Sequence, residues 1–295
     1  MELIVLPSTT VVKDKNNDIK TNIKGENMKR VLSLSLISLL WGCSPSHTDK
    51  LILTGSSTIA PLAVELAYAF EQLHPEVEID VQMGGSSRGI NDVRLGLSDI
   101  GMASRELKPE EQDLQAHTVA YDGITIILNS ENPVTKITDE QVIAIYTNQI
   151  NNWSALGGPD QPITVVNKAE GHSTLELFLH YFKIKNTQVI PDAVIGDNQQ
   201  GIKTVVGNPW AIAYVSIGTA EYESQHKQPI KLLSLGGIEA STATVKTGVF
   251  PLSRPLNFVT ASTPSGWAKE FIDFSQSVQA HSLIINQYFI PNDAQ

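Results

Sequence analysis

The chain has 295 residues, a mass of 32.1 kDa and a formal net charge of −10, from 21 basic and 31 acidic residues. Its 18% charged residues and mean hydropathy of −0.06 exclude a disordered or multi-span membrane protein and are typical of a soluble globular one of one or two domains. Nucleic acid is disfavoured as a partner because its binding depends on clustered Lys and Arg. A small anion stays open, since a few aimed donors can hold it against the overall field.

The first fifty residues contain one apolar run, Val31–Trp41, which is shorter than the ~20 residues a spanning helix needs. Lys29 and Arg30 precede it and Gly42 follows, which predicts a secretory signal peptide over residues 28–42. The only cysteine, Cys43, comes next, and Leu40-Trp41-Gly42-Cys43 resembles a bacterial lipoprotein signal in which the thiol is lipidated. We therefore expect a lipid anchor on Cys43, with a buried free thiol as the alternative.

This signal peptide follows 27 residues that are polar and lack clear periodicity. A signal peptide is N-terminal, so we expect translation to start at Met28 and residues 1–27 to be an over-extended gene start. Ordinary recovery of peptides from residues 1–27 by mass spectrometry would contradict this expectation.

Short β-type runs then alternate with helical patterns. The predicted strands are Leu51–Thr54, Val77–Val81, Ile100–Ala103 and Gly123–Leu128, and the predicted helices are Thr58–Leu73 and a segment through Ile90, Val93 and Leu97. This βαβαβ order predicts a mostly parallel sheet covered by helices.

The pattern restarts in the second half of the chain. Strands are predicted at Ile163–Val166, Ala211–Val215, Ile230–Leu235 and Leu256–Thr260, and helices at Thr138–Tyr146, Ser173–Phe182, Gln199–Val206 and Ser265–Val278. Each half has enough elements for an α/β lobe of its own, so the sequence predicts two closely joined lobes.

Small hydroxyl residues recur in three glycine-containing turns between a strand and a helix: Thr54–Thr58, Gly84–Gly89 and Gly171–Thr174. The first N–H groups of a helix are unpaired and carry partial positive charge, so a helix start can bind an oxyanion. In a parallel sheet such turns lie at the carboxyl ends of strands, where ligands bind. One such turn alone is ordinarily an N-cap, but three of them predict a single anion site between the lobes.

Seven motifs extend this interpretation. They are LTGSSTIAPL at 53–62, GGSSRGI at 84–90, DIGMASRELK at 99–108, DGITIILN at 122–129, NWSALGGPDQPITVVNKAEGHST at 152–174, AIAYVS at 211–216 and PLSRPL at 251–256. In this order they resemble the phosphate-binding proteins of bacterial phosphate ABC importers, the PstS type, over roughly residues 51–290.

The resemblance implies the type II periplasmic-binding-protein fold, an α/β architecture of two lobes. Each lobe has a mixed, mostly parallel sheet flanked by helices, and two crossovers near Gly123–Asn129 and Pro251–Val259 join the lobes. Lobe 1 would comprise residues 50–122 plus 252–290, and lobe 2 would comprise residues 123–251.

The resemblance also implies a set of phosphate-binding residues at the three turns and at two bases. They are Ser57, Thr58, Ile59, Ser86, Ser87, Arg105, Lys168, His172, Ser173 and Thr174. Arg105 stands where some members carry an Asp that accepts the proton of hydrogen phosphate and rejects sulfate. Lys168 stands where the family has a clamping Arg, and it keeps the charge without the bidentate fork. His172 replaces a small hydroxyl residue and either donates to the anion or narrows the pocket.

A serine hydrolase is the main enzymatic alternative, because Gly171–Leu175 begins like a G-x-S-x-G nucleophile elbow. The fifth position is Leu175 instead of Gly, and Lys168–Glu170 separate the strand from a turn that should be sharp. The seven histidines show no HxxxH or HExxH spacing, so no metal is predicted, and no other cofactor either.

The sequence therefore predicts a monomeric, non-enzymatic binding protein in the periplasm or cell envelope, anchored to a membrane by lipid. It would capture inorganic phosphate, or a close tetrahedral oxyanion, and deliver it to an ABC permease complex in the inner membrane. An anion sensor or an adhesion protein with the same fold is the alternative.

Overall fold

The computed structural model describes residues 48–292. Its strands are β1 Asp49–Gly55, β2 Val77–Met83, β3 Ile100–Ala103, β4 Gln115–Asn129, β5 Thr164–Lys168, β6 Ala193–Ile195, β7 Ala211–Ser216, β8 Ile230–Leu232, β9 Ser253–Thr260 and β10 Ile290–Pro291. Its α-helices are α1 Ala60–Leu73, α2 Ser86–Arg94, α3 Asp139–Tyr146, α4 Ser173–Phe182, α5 Asn198–Gly207, α6 Ile217–Gln225, α7 Thr242–Lys246, α8 Gly266–Ser275 and α9 His281–Asn286. The expected over-extended start, signal peptide and lipidated Cys43 lie outside the described residues.

The strands form a mixed sheet in the order β2-β1-β3-β9-β4-β7-β5-β6, with β8 and β10 also paired to β4. β1 is parallel to β2 and β3, and β5 is parallel to β6 and β7. Every pair that includes β4 or β9 is antiparallel. The α/β class and the mixed sheet are confirmed. Fewer strand pairs are parallel than predicted, because the two central strands, β4 and β9, each run antiparallel to their neighbours.

The buried apolar side chains form separate clusters along the sheet. One includes Leu53, Phe70, Phe258 and Phe271, and it packs against what we call the first sheet region: β1, β2, β3, β9 and residues 115–123 of β4. Another includes Tyr146, Trp153, Phe178 and Tyr214, and it belongs to the second sheet region: residues 124–129 of β4 with β5 to β8. β4 pairs with β9 as far as Gly123 and with β7 from Ile124, so this strand runs through both regions.

The main predicted helices and strands are present, and the differences concern elements that depend on tertiary contacts. β4 begins at Gln115 instead of Gly123, because its first half is held by a ladder with β9 that contains a bulge between Thr118 and Ala120. Five short elements were not predicted from the sequence: β6, β10, α6, α7 and α9. Along residues 48–292, no helix combines the length and apolar character that crossing a membrane requires.

We expect Phe178→Ala to lower the free energy of unfolding by about 3–5 kcal/mol, because it leaves a cavity in a packed aromatic cluster. Phe178 is fully buried, and its ring stacks on that of Tyr214 with 3.9 Å between centroids. Urea denaturation followed by circular dichroism measures the change. The control is Tyr68→Ala, whose side chain is 63% exposed; equal, small effects of the two variants would contradict the prediction.

Candidate anion-binding site

The three hydroxyl-rich turns lie together at the carboxyl ends of β1, β2 and β5, as predicted from the sequence. Ser173 Oγ, at the first position of α4, donates to Ser86 Oγ, at the first position of α2, over 2.5 Å. The backbone N–H of Ser87 donates to the carbonyl of Gly171 over 3.1 Å. These bonds join the first sheet region to the second, and Ser86 and Ser173 are at most 2% exposed.

The close approach of the second and third turns depends on Gly85. Its φ is +89°, and a Cβ at this position would lie 2.6 Å from the carbonyl oxygen of Gly171. A side chain would both strain the backbone and push the turns apart. The glycine therefore permits the hydroxyls of α2 and α4 to meet.

Arg254 on β9 is the centre of the buried polar network. Its Nη1 donates to Thr174 Oγ1 over 3.0 Å and to Ser104 Oγ over 3.3 Å, and its Nη2 donates to Thr58 Oγ1 over 3.3 Å. Arg254 as a whole is 2% exposed. Arg254 was not among the sequence candidates, although it lies in the motif Pro-Leu-Ser-Arg-Pro-Leu. An Arg just before a predicted strand was the available indication.

Asp122 on β4 compensates the charge of Arg254. Its Oδ2 accepts from Arg254 Nη2 over 2.8 Å and from Nε over 3.2 Å, and its Oδ1 accepts from the N–H of Gly218 over 3.2 Å. Arg254 and Asp122 are directly opposite each other in the β4–β9 ladder. A buried guanidinium of this kind needs such a partner, because desolvation of an unpaired ion is prohibitive.

Lys168, at the end of β5, is the second buried cation of the network. Its Nζ donates to Asn198 Oδ1 over 3.2 Å, and Asn198 Nδ2 in turn donates to Thr58 Oγ1 over 3.3 Å. Burial lowers the pKa of Lys168 to about 7; the nearby carboxylate of Asp197 opposes this shift and the charge of Arg254 adds to it. Asn198 also was not among the sequence candidates.

Arg105 is engaged by two carboxylates. It makes a bidentate pair with Glu111, at 2.6 and 2.8 Å, and its Nε lies 3.0 Å from Glu176 Oε2. Burial raises the pKa of Glu111 and the hydrogen bonds from Arg105 lower it, with a net lowering.

Glu176 on α4 has further partners in the first sheet region. It lies 3.0 Å from Lys108 Nζ and accepts from Ser87 Oγ over 3.2 Å. Arg105 thus contributes to contacts between the sheet regions, and its guanidinium makes no bond to the hydroxyls that Arg254 contacts.

The remaining candidates occupy the edge of the network. Ser57 Oγ donates to the carbonyl of Gly196 over 3.3 Å and lies 3.5 Å from His172 Nδ1. The pKa of His172 is lowered by burial and by the charge of Lys168. The side chain of Ile59 is buried in the apolar cluster of the first region, so only its N–H faces the turn, where it donates to Ser56 Oγ over 3.4 Å.

The arrangement favours binding over hydrolysis. A serine nucleophile requires a base within hydrogen-bond reach, whereas the hydroxyl of Ser173 is bonded to another serine hydroxyl. Within residues 48–292, no group of three or more His, Cys, Asp or Glu is placed to hold a metal ion. Hydroxyl groups, helix starts and cations converge at this site instead.

Helix starts and buried cations meet at one polar cluster beside a mixed α/β sheet. This arrangement is that of an anion-binding protein. The sequence profile of the PBP superfamily domain matches residues 44–279. The chain is 30% identical over 253 residues to the phosphate-binding protein PstS of Bacillus subtilis (strain 168), covering 83% of this chain and 81% of the relative.

Two solved structures are similar over 82% of this chain and 99% of theirs, both at 31% identity. One is a phosphate ABC transporter substrate-binding protein from Clostridium perfringens with bound phosphate, at a TM-score of 0.76, and the other is an ABC-type phosphate transport receptor from Vibrio cholerae, at 0.66. The chain therefore belongs to the PstS-like phosphate-binding proteins of the PBP superfamily.

Removal of the guanidinium should be costly for stability. We expect Arg254→Met to lower the free energy of unfolding by about 3–5 kcal/mol, because it leaves the carboxylate of Asp122 buried without its cation. The double variant Arg254→Met/Asp122→Asn should regain part of that loss, since the uncompensated charge is gone. Urea denaturation of both single variants and the double variant measures the coupling; strictly additive effects would contradict the ion pair.

Proposed function

We propose that this chain captures inorganic phosphate, or a close tetrahedral oxyanion, and delivers it to an ABC importer. The observation that carries the proposal is the convergence of Arg254, Lys168, Ser86, Ser173 and Thr174 on one site closed to solvent. Membership of the PstS-like family and the phosphate bound to the Clostridium perfringens protein support the same ligand.

The proposed phosphate contacts are those of the sequence analysis other than Arg105, together with Arg254. Hydroxyls and helix N–H groups of Thr58, Ser86, Ser173 and Thr174 would donate to the phosphate oxygens, and Arg254 and Lys168 would supply charge. Charge-assisted bonds of this kind are the strong ones. Because the guanidinium of Arg105 is already held by Glu111 and Glu176, we assign Arg105 to closure of the site.

We propose that the two sheet regions are the cores of two lobes, residues 50–122 plus 252–290 and residues 123–251. Thr58, Ser86, Ser173 and Thr174 are at most 4% exposed, so phosphate can enter only if the lobes separate. Closure would then bury the anion between helix starts from both lobes.

An importer needs its binding protein outside the cytoplasm. We therefore propose a location in the periplasm or cell envelope, with residues 28–42 as signal peptide, a lipid anchor on Cys43 and an ABC permease complex as partner. A monomer suffices, because both halves of the site come from one chain. Mass spectrometry of the N-terminal peptide tests the anchor, and an unlipidated Cys43 in the native host would contradict it.

Isothermal titration with phosphate, arsenate, sulfate and molybdate tests the ligand. We expect saturable heat with phosphate and a matching rise in melting temperature, because a ligand that binds only the folded state stabilises it. Absence of heat and of a thermal shift with all four anions would overturn the proposal.

Removal of single donors tests the position of the site. We expect Ser86→Ala and Thr174→Ala each to weaken phosphate binding by about 1–3 kcal/mol, because each removes a bond from a buried ion. Thr135→Ala, at an exposed position, is the matched control and should leave affinity unchanged. Unchanged affinity in both site variants would mean that phosphate binds elsewhere.

A further inference from the structure

The two buried cations of the site differ in how their charges are compensated. Arg254 faces the carboxylate of Asp122, at 2.8 Å. Lys168 is equally buried, at 2% exposure, but forms no ion pair with any carboxylate of the described residues; its Nζ donates to the neutral amide oxygen of Asn198. A buried ammonium without a counter-ion is unfavourable, and the ordinary response is to lose its proton.

The groups around Lys168 reinforce this difference. Burial of the amine is the largest influence and favours the neutral form, the positive charge of Arg254 acts in the same direction, and Asp197 opposes both; together they bring the pKa to about 7. The ionisable groups of the neighbouring elements are Asp197 before α5, His172 before α4, Tyr214 on β7, Arg254 on β9 and Asp122 on β4. Asp122 is already bonded to Arg254, so it does not serve as counter-ion for Lys168.

A neutral amine can acquire its charge when an anion arrives. The negative charge of a bound phosphate would act as the counter-ion that the protein does not provide, and an opposite charge nearby favours the protonated form. We propose that Lys168 takes up one proton from solvent when phosphate binds, so that capture at this site is proton-coupled. This inference rests on the proposed function, because it requires phosphate at the same site.

The lone pair of Nζ in the neutral –NH₂ group accepts a proton from solvent and becomes –NH₃⁺, and no other bond forms or breaks. The ammonium then donates to a phosphate oxygen. The complex of dianionic phosphate therefore holds one proton more than the closed, unliganded protein and the free dianion together.

The proposal fixes the direction in which phosphate affinity changes with pH. Below the pKa of about 7, Lys168 of the closed, unliganded protein is already protonated, so phosphate binding takes up little. Above pH 7 the proton must come from solvent, and affinity for the phosphate dianion should fall by about tenfold for each pH unit until the amine of the complex also titrates. A permanently charged side chain at this position would remove that fall.

Titration calorimetry at pH 8.5, in two buffers of different ionisation enthalpy, counts the protons taken up with inorganic phosphate. We expect close to one more proton for the wild-type protein than for Lys168→Arg, whose guanidinium stays charged. The ionisation of phosphate itself is the same in both titrations and cancels. Lys203→Arg, at an exposed position, is the matched control and should keep the uptake, since the proton is assigned to Lys168.

Equal proton uptake by the wild-type protein and Lys168→Arg would overturn the inference while leaving phosphate binding intact. Absence of phosphate binding by the wild-type protein would instead refute the proposed function. If Lys168→Arg does not fold, the ¹³Cε resonance of Lys168 in the wild-type protein gives the answer. It should titrate near pH 7 without phosphate and stay in its protonated position at pH 8.5 with phosphate; a lysine that stays protonated above pH 9 without phosphate would refute the inference.

Discussion

The ion pair between Arg254 and Asp122 is the interaction on which the site depends. The two residues are cross-strand neighbours on β4 and β9, where the chain passes between the two sheet regions. The guanidinium also donates to Thr58 in the first region and to Thr174 in the second. Both partners belong to the same ladder, so their pairing does not depend on the contacts between the helix starts of the two regions. The charge of the site is thus fixed by the sheet, and hydroxyls of the helix starts from both regions complete the site.

This arrangement explains how an acidic chain can hold an anion. A net charge of −10 gives no general attraction to a negative ligand. Inside the site, however, Asp122 cancels the charge of Arg254, and the hydroxyl and backbone donors are dipoles rather than ions. Dipoles that are already oriented act strongly in a medium from which water is excluded. Affinity therefore depends on local geometry, and the overall charge is free to serve solubility.

The sequence predicted much of the fold because its periodic segments are long and its turns are chemically distinctive. The turns containing Ser86 and Ser173 were identified from local spacing alone. Arg254, Asp122 and Asn198 were not, because each becomes a site residue only through a neighbour distant in sequence: Asp122 and Arg254 are 132 positions apart. Arg105 is the opposite case. The family resemblance placed it among the phosphate contacts, whereas in the structure its guanidinium forms ion pairs with Glu111 and Glu176. The first half of β4 was missed for the same physical reason, because its partner strand begins at Ser253.

The contact between the turns of Gly85 and Gly171 also bears on the size of a ligand. When Ser87 N–H is bonded to the Gly171 carbonyl, the two backbones meet without a side chain between them. If phosphate binds behind this contact, as proposed, the alcohol group of a phosphate monoester would have to pass between the two backbones and hold the turns apart, whereas a free ion carries no such group. The same glycine that lets the turns touch would then select by volume against organic phosphates.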